Sequence, residues 1–146
     1  MPFQFPLATV LRYRESIEQR EHFALEKLQT EIAGVTGRIL QTEEECAKAA
    51  QNREATLAQG IRAVELKFEY EYHRALEEQL DALRSLLREL KTKWNHQLVC
   101  YQVAQRNRKT LEKLRDNQLE TYSRERAKRE QATIDDIFLS RRRRGN

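Results

Sequence analysis

The chain offers few side chains able to do chemistry, and their spacing argues against most of it. Three histidines and two cysteines are the first to weigh. His22 and His96, with Glu18, Glu21 and Glu26 near the first of them, would suit a cation if a fold set them level. A specific metal site also needs converging ligands held by outer hydrogen bonds, and carboxylates are too abundant here for proximity alone to define one. His73 reads as part of a solvated face. Cys46 and Cys100 form no Cys-x-x-Cys pair and read as packing thiols in a reducing compartment. The run Glu43-Glu44-Glu45 and the pair Glu69 and Glu71 supply neighbouring carboxylates, but acid–base catalysis requires surroundings that push such pKa values apart. There is no glycine-rich phosphate loop and no Ser/His/Asp constellation. These residues predict a protein that is not an enzyme and that takes no cofactor or metal.

The elements that position these groups are announced by two apolar ladders. Leu25, Leu28, Ile32, Val35, Ile39, Thr42, Cys46 and Ala49 step by three and four residues in the first half. Leu76, Leu80, Leu83, Leu87, Leu90, Trp94, Gln97, Tyr101 and Ala104 do the same in the second. A stripe of that width is the seam of helices wound on one another, and it encloses no cleft for a substrate.

Composition agrees. Charged residues make up 34% of the chain against four glycines and two prolines, which suits long helices better than a layered globule. The longest apolar stretches, such as Leu98-Val99-Cys100-Tyr101, fall far short of the roughly 20 residues a bilayer span needs, so no membrane insertion is expected. The opening Met1-Pro2-Phe3-Gln4-Phe5-Pro6-Leu7 has no basic lead and predicts no signal peptide, hence a cytoplasmic protein. Of the net charge of +4, the run Arg141 to Arg144 supplies all four positives, leaving a balanced body. A balanced body argues against a nucleic-acid stripe, so no nucleic acid is expected as partner; the tail itself reads first as a solvated terminus or a contact for an acidic protein, and second as one for nucleic acid or anionic lipid.

The pattern predicts an all-α fold, two long helices forming an antiparallel coiled-coil hairpin with the second helix longer, as one domain over 1–146. Pro2 and Pro6 precede a helix over about residues 7–56, Gly60 favours a turn over about 57–61, and a second helix covers about 62–139 before a basic tail at 140–146. Gly34 and Gly37 are weak spots inside the first helix. A turn near Gln59 pairs residues whose numbers sum to about 118, so that Leu11 faces the region of Asn107, His22 is level with His96, and Cys46 and Cys100 lie about 40 Å apart. The first arm then reaches about 75 Å and the second about 115 Å, so residues beyond about Leu111 overhang unless the N-terminal segment or a partner covers them. Leu114, Leu119, Tyr122, Ile134, Ile137 and Phe138 keep that overhang apolar enough to bind something. Phe68, Tyr72 and Leu76 repeat every four residues just after the turn, where a shift of the seam would leave an apolar strip facing outward.

The two termini resemble the FliJ family of flagellar type III export proteins. Phe3-Gln4-Phe5-Pro6-Leu7, Val10-Leu11 and Arg14 are similar to the family's F-x-F-x-L opening followed by V-L and a polar helix. Arg108-Lys109-Thr110-Leu111-Glu112-Lys113-Leu114, then Tyr122, Glu125, Glu130-Gln131 and Ile134-Asp135-Asp136-Ile137, resemble its C-terminal pattern. The resemblance implies a cytoplasmic export component, similar to the central stalk of rotary ATPases, that couples the hexameric flagellar export ATPase to the cytoplasmic domain of the membrane export gate and also engages export chaperones. It implies attachment to the inner membrane's cytoplasmic face only through that apparatus.

Carried over by position, the gate contact falls on Tyr72, Leu76, Gln79 and Leu83, with Arg38, Thr42, Glu45 and Ala49 on the opposing helix at that level, where the family's aromatic character is missing. The ATPase contact falls on Leu111, Leu114, Leu119 and Tyr122, with Arg141, Arg142, Arg143 and Arg144 steering association. Other readings of the same architecture are the stalk of a virulence injectisome, a nucleic-acid-binding coiled coil and a passive structural coiled coil.

Overall fold

A computed structural model describes residues 2–60 and 62–145. Residues 61 and 146, which the expected turn and tail include, lie outside the described residues. The fold is an antiparallel helical hairpin of α1 (Ala8–Gln59) and α2 (Ala63–Arg144). Pro6 cannot continue a helix backwards, and the first turn closes as Ala8 N–H donates to the Phe5 carbonyl at 3.1 Å and Leu11 N–H to the Leu7 carbonyl at 2.9 Å. Helix α1 runs three residues past the expected Thr56. Asn52 is exposed and interrupts nothing, so the helix persists until Gly60, whose φ of +82° only glycine adopts without strain.

Helix α2 also exceeds its expected end at 139 and continues through Arg144, so the arginine run is helical. No breaker precedes Gly145, the four cations complement the negative end of the helix dipole, and Gly145 N–H donates to the Arg141 carbonyl at 3.0 Å.

The chain divides into two compact units, each drawing on both helices. The unit of residues Glu21–Tyr101 has the better-filled seam. Val35, Ile39, Leu80 and Leu90 are buried together, with Leu28, Ile32, Leu83 and Leu87 packed against them. Thr42 is buried among these positions because its hydroxyl donates to the Arg38 carbonyl at 2.8 Å and brings no unmet donor inside.

The expected shift of the seam after the turn does not occur. Covered positions run Leu66, Glu69, His73, Leu76, Leu80, Leu83, Leu87, Leu90, Trp94, Gln97 and Tyr101, alternating steps of three and four without a break. Strict alternation keeps the same face on the partner helix. The sequence hid this because Glu69 and His73 are polar residues standing at seam positions.

The register also differs from the expected sum of 118. His22 packs on Tyr101 with ring centroids 5.4 Å apart, and the Arg53 guanidinium lies 4.9 Å from the Tyr70 ring centre; both pairs sum to 123. Glu43 and Arg84, paired at 3.3 Å, sum to 127, while Gln97 reaches back to the Glu21 carbonyl at 3.0 Å, a pair summing to 118. The register is centred a few residues higher because α1 ends later than the apolar ladder alone suggested.

In the other unit, the residues up to Arg20 pack with those from Gln102 onward. Leu11 and Ala104 are its buried residues, and Leu111, Arg115, Gln118 and Tyr122 continue the covered face of α2. Phe3 lies on Tyr122, with ring centroids 5.5 Å apart and planes at 47°. The extended lead-in therefore covers α2 as far as Tyr122. Leu11 sits in this register too far along to face Asn107, and the N-terminal segment covers one face of the expected overhang as far as Tyr122, beyond which every described residue is exposed.

Candidate interaction surfaces

Among the described residues, the histidines lie in separate local pairings. His22 sits against the Tyr101 ring with its Nδ1 3.4 Å from Glu26, while His96 lies beside Cys100 of its own helix, Nε2 to Sγ 3.9 Å. The two histidines expected to lie level do not converge, and no group of three or more His, Cys, Asp or Glu is placed to hold a metal among the described residues. Cys46 and Cys100 are free and half-buried. No described side chain falls below 2% exposure.

What the structure does build is charged and apolar contact surface. Arg108 is its best-held cation. Its guanidinium forks between Glu18 across the hairpin and Glu112 one turn along α2, the latter at 2.6 Å from Nη1. The Arg108, Glu18 and Glu112 side chains are 19%, 15% and 31% exposed, low enough for the pairing to count. Hydrogen bonds donated to Glu18, then to Glu112, raise the guanidinium pKa above its ordinary value, so Arg108 is permanently charged. The i,i+4 half of this arrangement was legible in the sequence, but Glu18 could be found only from the register.

Of the residues expected at the gate contact, Tyr72 and Gln79 face solvent, Leu76 is 5% exposed, and Leu83 packs against the central cluster. Leu76 and Leu83 are spent on the hairpin itself. The outward strip is instead Val64, Phe68, Tyr72 and Gln79, a face repeated at four- and seven-residue steps, with Val64 and Phe68 more than 70% exposed. Val64 was missed in the sequence because it precedes the ladder. On α1, Thr42 is buried, Glu45 and Ala49 are half-buried and Arg38 is exposed.

Of the residues expected at the ATPase contact, Leu111 and Tyr122 are half-buried and Leu114 and Leu119 exposed. Every described residue beyond Tyr122 is exposed, including Ile134, Ile137, Phe138 and Leu139, and Arg141 to Arg144 share that exposure.

A thin seam and exposed apolar faces define a coiled-coil hairpin protein. The comparison with known families makes this specific. The family model described as flagellar FliJ protein matches residues 3–146, and the chain belongs to that family, a group of flagellar export components. No curated protein and no solved structure matches the chain.

Proposed function

We propose that this chain couples the hexameric flagellar export ATPase to the cytoplasmic domain of the export gate, without enzymatic activity of its own, and that it also engages export chaperones. The observation that supports this most is the placement of unused apolar surface. One unit leaves Val64, Phe68 and Tyr72 bare, and the other leaves Leu114, Leu119 and the side chains beyond Tyr122 bare. Two separate apolar contact faces on one small chain suit an adaptor that engages two partners.

The gate contact centres on Tyr72 and Gln79, extended by Phe68 and Val64. The ATPase contact centres on Leu114 and Leu119 beside the half-covered Leu111 and Tyr122. Arg141 to Arg144 speed its formation through long-range attraction to an acidic ring opening. Among the described residues no helix is long and apolar enough to cross a membrane, and in this reading the coupling role holds the chain at the inner membrane's cytoplasmic face through the export apparatus. Family membership favours the flagellar over the injectisome system.

Two measurements test the proposal. Removing residues 112–146 is expected to abolish stimulation of ATP hydrolysis, and a chain ending at residue 111 that stimulates as well as the whole would sink the ATPase assignment. Phe68→Asp with Tyr72→Asp is expected to weaken gate binding by an order of magnitude or more with helix content unchanged. Undiminished affinity would remove this strip from the gate surface.

A further inference from the structure

Helix α2 continues through Arg144, which fixes the angular position of four arginines that a disordered tail would leave undefined. Each residue turns the helix by about 100°. Taking Ile134 as the centre of a face, Phe138 and Ile137 fall about 40° and 60° to either side of it, and Arg141 about 20° away. Arg142 and Arg144 then fall about 80° to opposite sides, and Arg143 points directly away. An apolar wedge is thus bracketed by one arginine on each flank and ended by another.

The apolar members are bare: Ile134, Ile137 and Phe138 are 58%, 48% and 65% exposed. Nearby acids only partly offset the positive flanks. Glu130, one turn earlier on this face, accepts from Arg126 Nε at 3.2 Å, and Asp136 lies on the far side of the helix. Asp135, about 100° from the face centre, accepts from the neutral Gln131 Nε2 at 3.0 Å and keeps its charge on the Arg142 flank, so residues 134–144 carry four arginines against two aspartates.

We propose that the last turns of α2 dock on an anionic lipid bilayer, lying in the interface with Ile134, Ile137 and Phe138 immersed and Arg142 and Arg144 on headgroup phosphates. A helix with a short apolar face and flanking arginines is suited to the boundary between acyl chains and phosphates, where aliphatic stems are buried while guanidinium groups reach outward. Four clustered arginines supply the electrostatic share of the binding, which is what so small a wedge requires. The contact is reversible and leaves the seam of the hairpin untouched. It needs neither the ATPase nor the gate, but it draws on the same arginines that steer the ATPase contact, so the two contacts compete for this end of the chain and vesicle binding is measured with the chain alone.

The experiment is flotation of the full chain with vesicles of phosphatidylcholine alone or with about one third phosphatidylglycerol, at low and high salt. Binding is expected only to the anionic vesicles and is expected to fall as salt rises. Arg142→Ser with Arg144→Ser should reduce the bound fraction about ten-fold, whereas Arg143→Ser should change it less than two-fold. Phe138→Ser should weaken binding more than Leu139→Ser, which lies about 140° from the face centre. These sites are exposed, and circular dichroism will show that the helices persist. No binding to anionic vesicles, equal effects of the flanking and opposite arginines, or binding to nucleic acid with none to vesicles would each overturn the proposal.

Discussion

Glu69 and His73 show how a single polar atom sets local stability. Each occupies a seam position, and Glu69 Oε2 and His73 Nδ1 are buried without a hydrogen-bond partner, although His73 Nε2 meets Glu77 at 2.9 Å. A covered acceptor that loses water and gains nothing in return opposes folding. Glu69→Leu should therefore stabilise the chain by about 1–2 kcal/mol, read as a higher urea midpoint at unchanged slope. Arg108 is the opposite case. Arg108→Ala strips the partner from Glu18 and Glu112 and should cost about 2 kcal/mol. A lysine there should recover only part of this, because it cannot fork between two carboxylates. The Arg108 pKa is raised on folding, so its contribution is complete below the ordinary guanidinium value and fades only as pH rises through the higher folded value. Arg108→Ala should consequently cost the same at pH 7 and pH 9 in denaturation experiments.

The helices carry weaknesses that can be located along their length. Gly37 lies in the interior of α1, and a methyl group added there meets nothing within 4 Å. Gly37→Ala should add about 1 kcal/mol by restricting the unfolded chain and favouring the helix. The same change at Gly60 should act in reverse. Open space surrounds it too, but its φ of +82° penalises any side chain, so Gly60→Ala should cost about 1–2 kcal/mol. Thermal melts of the two variants should move in opposite directions, and equal shifts would show that the turn does not depend on a left-handed glycine. Leu76→Asp, within the seam, should unfold the neighbouring turns, whereas Tyr72→Asp on the outer face should leave the melting curve nearly unchanged.

For the molecule as a whole, the two ladders of one chain cover each other, so no second copy is needed to bury them. Light scattering of the purified protein should give a mass near 17.4 kDa across the micromolar range. A mass twice that, with labels at Gln29 and Lys93 far apart within each chain, would mean that the helices pair between molecules instead. Both positions are exposed, and the fold places them level with one another within the unit of residues Glu21–Tyr101, so labels there read the hairpin without disturbing it.

The helical class, the hairpin, the longer second helix and the family were legible in the chain alone. Apolar period, the absence of breakers and the Phe3–Leu7 and Arg108–Leu114 motifs are local properties, and local properties survive translation from sequence to structure. What needed the tertiary fold was every choice between neighbouring faces. Register decides whether Glu18 meets Arg108 or faces Cys100, about two helical turns earlier on α2. It also decides whether Leu76 is core or contact surface, and whether Phe3 reaches Tyr122. The polar seam residues Glu69 and His73 concealed the continuous heptads, because composition marks a buried face only where its side chains are apolar. The helical state of Arg141 to Arg144 depended on a stop signal that arrives only at Gly145. Pairing across two helices is fixed by the sum of many weak contacts along their length, and no single position in the sequence carries that sum.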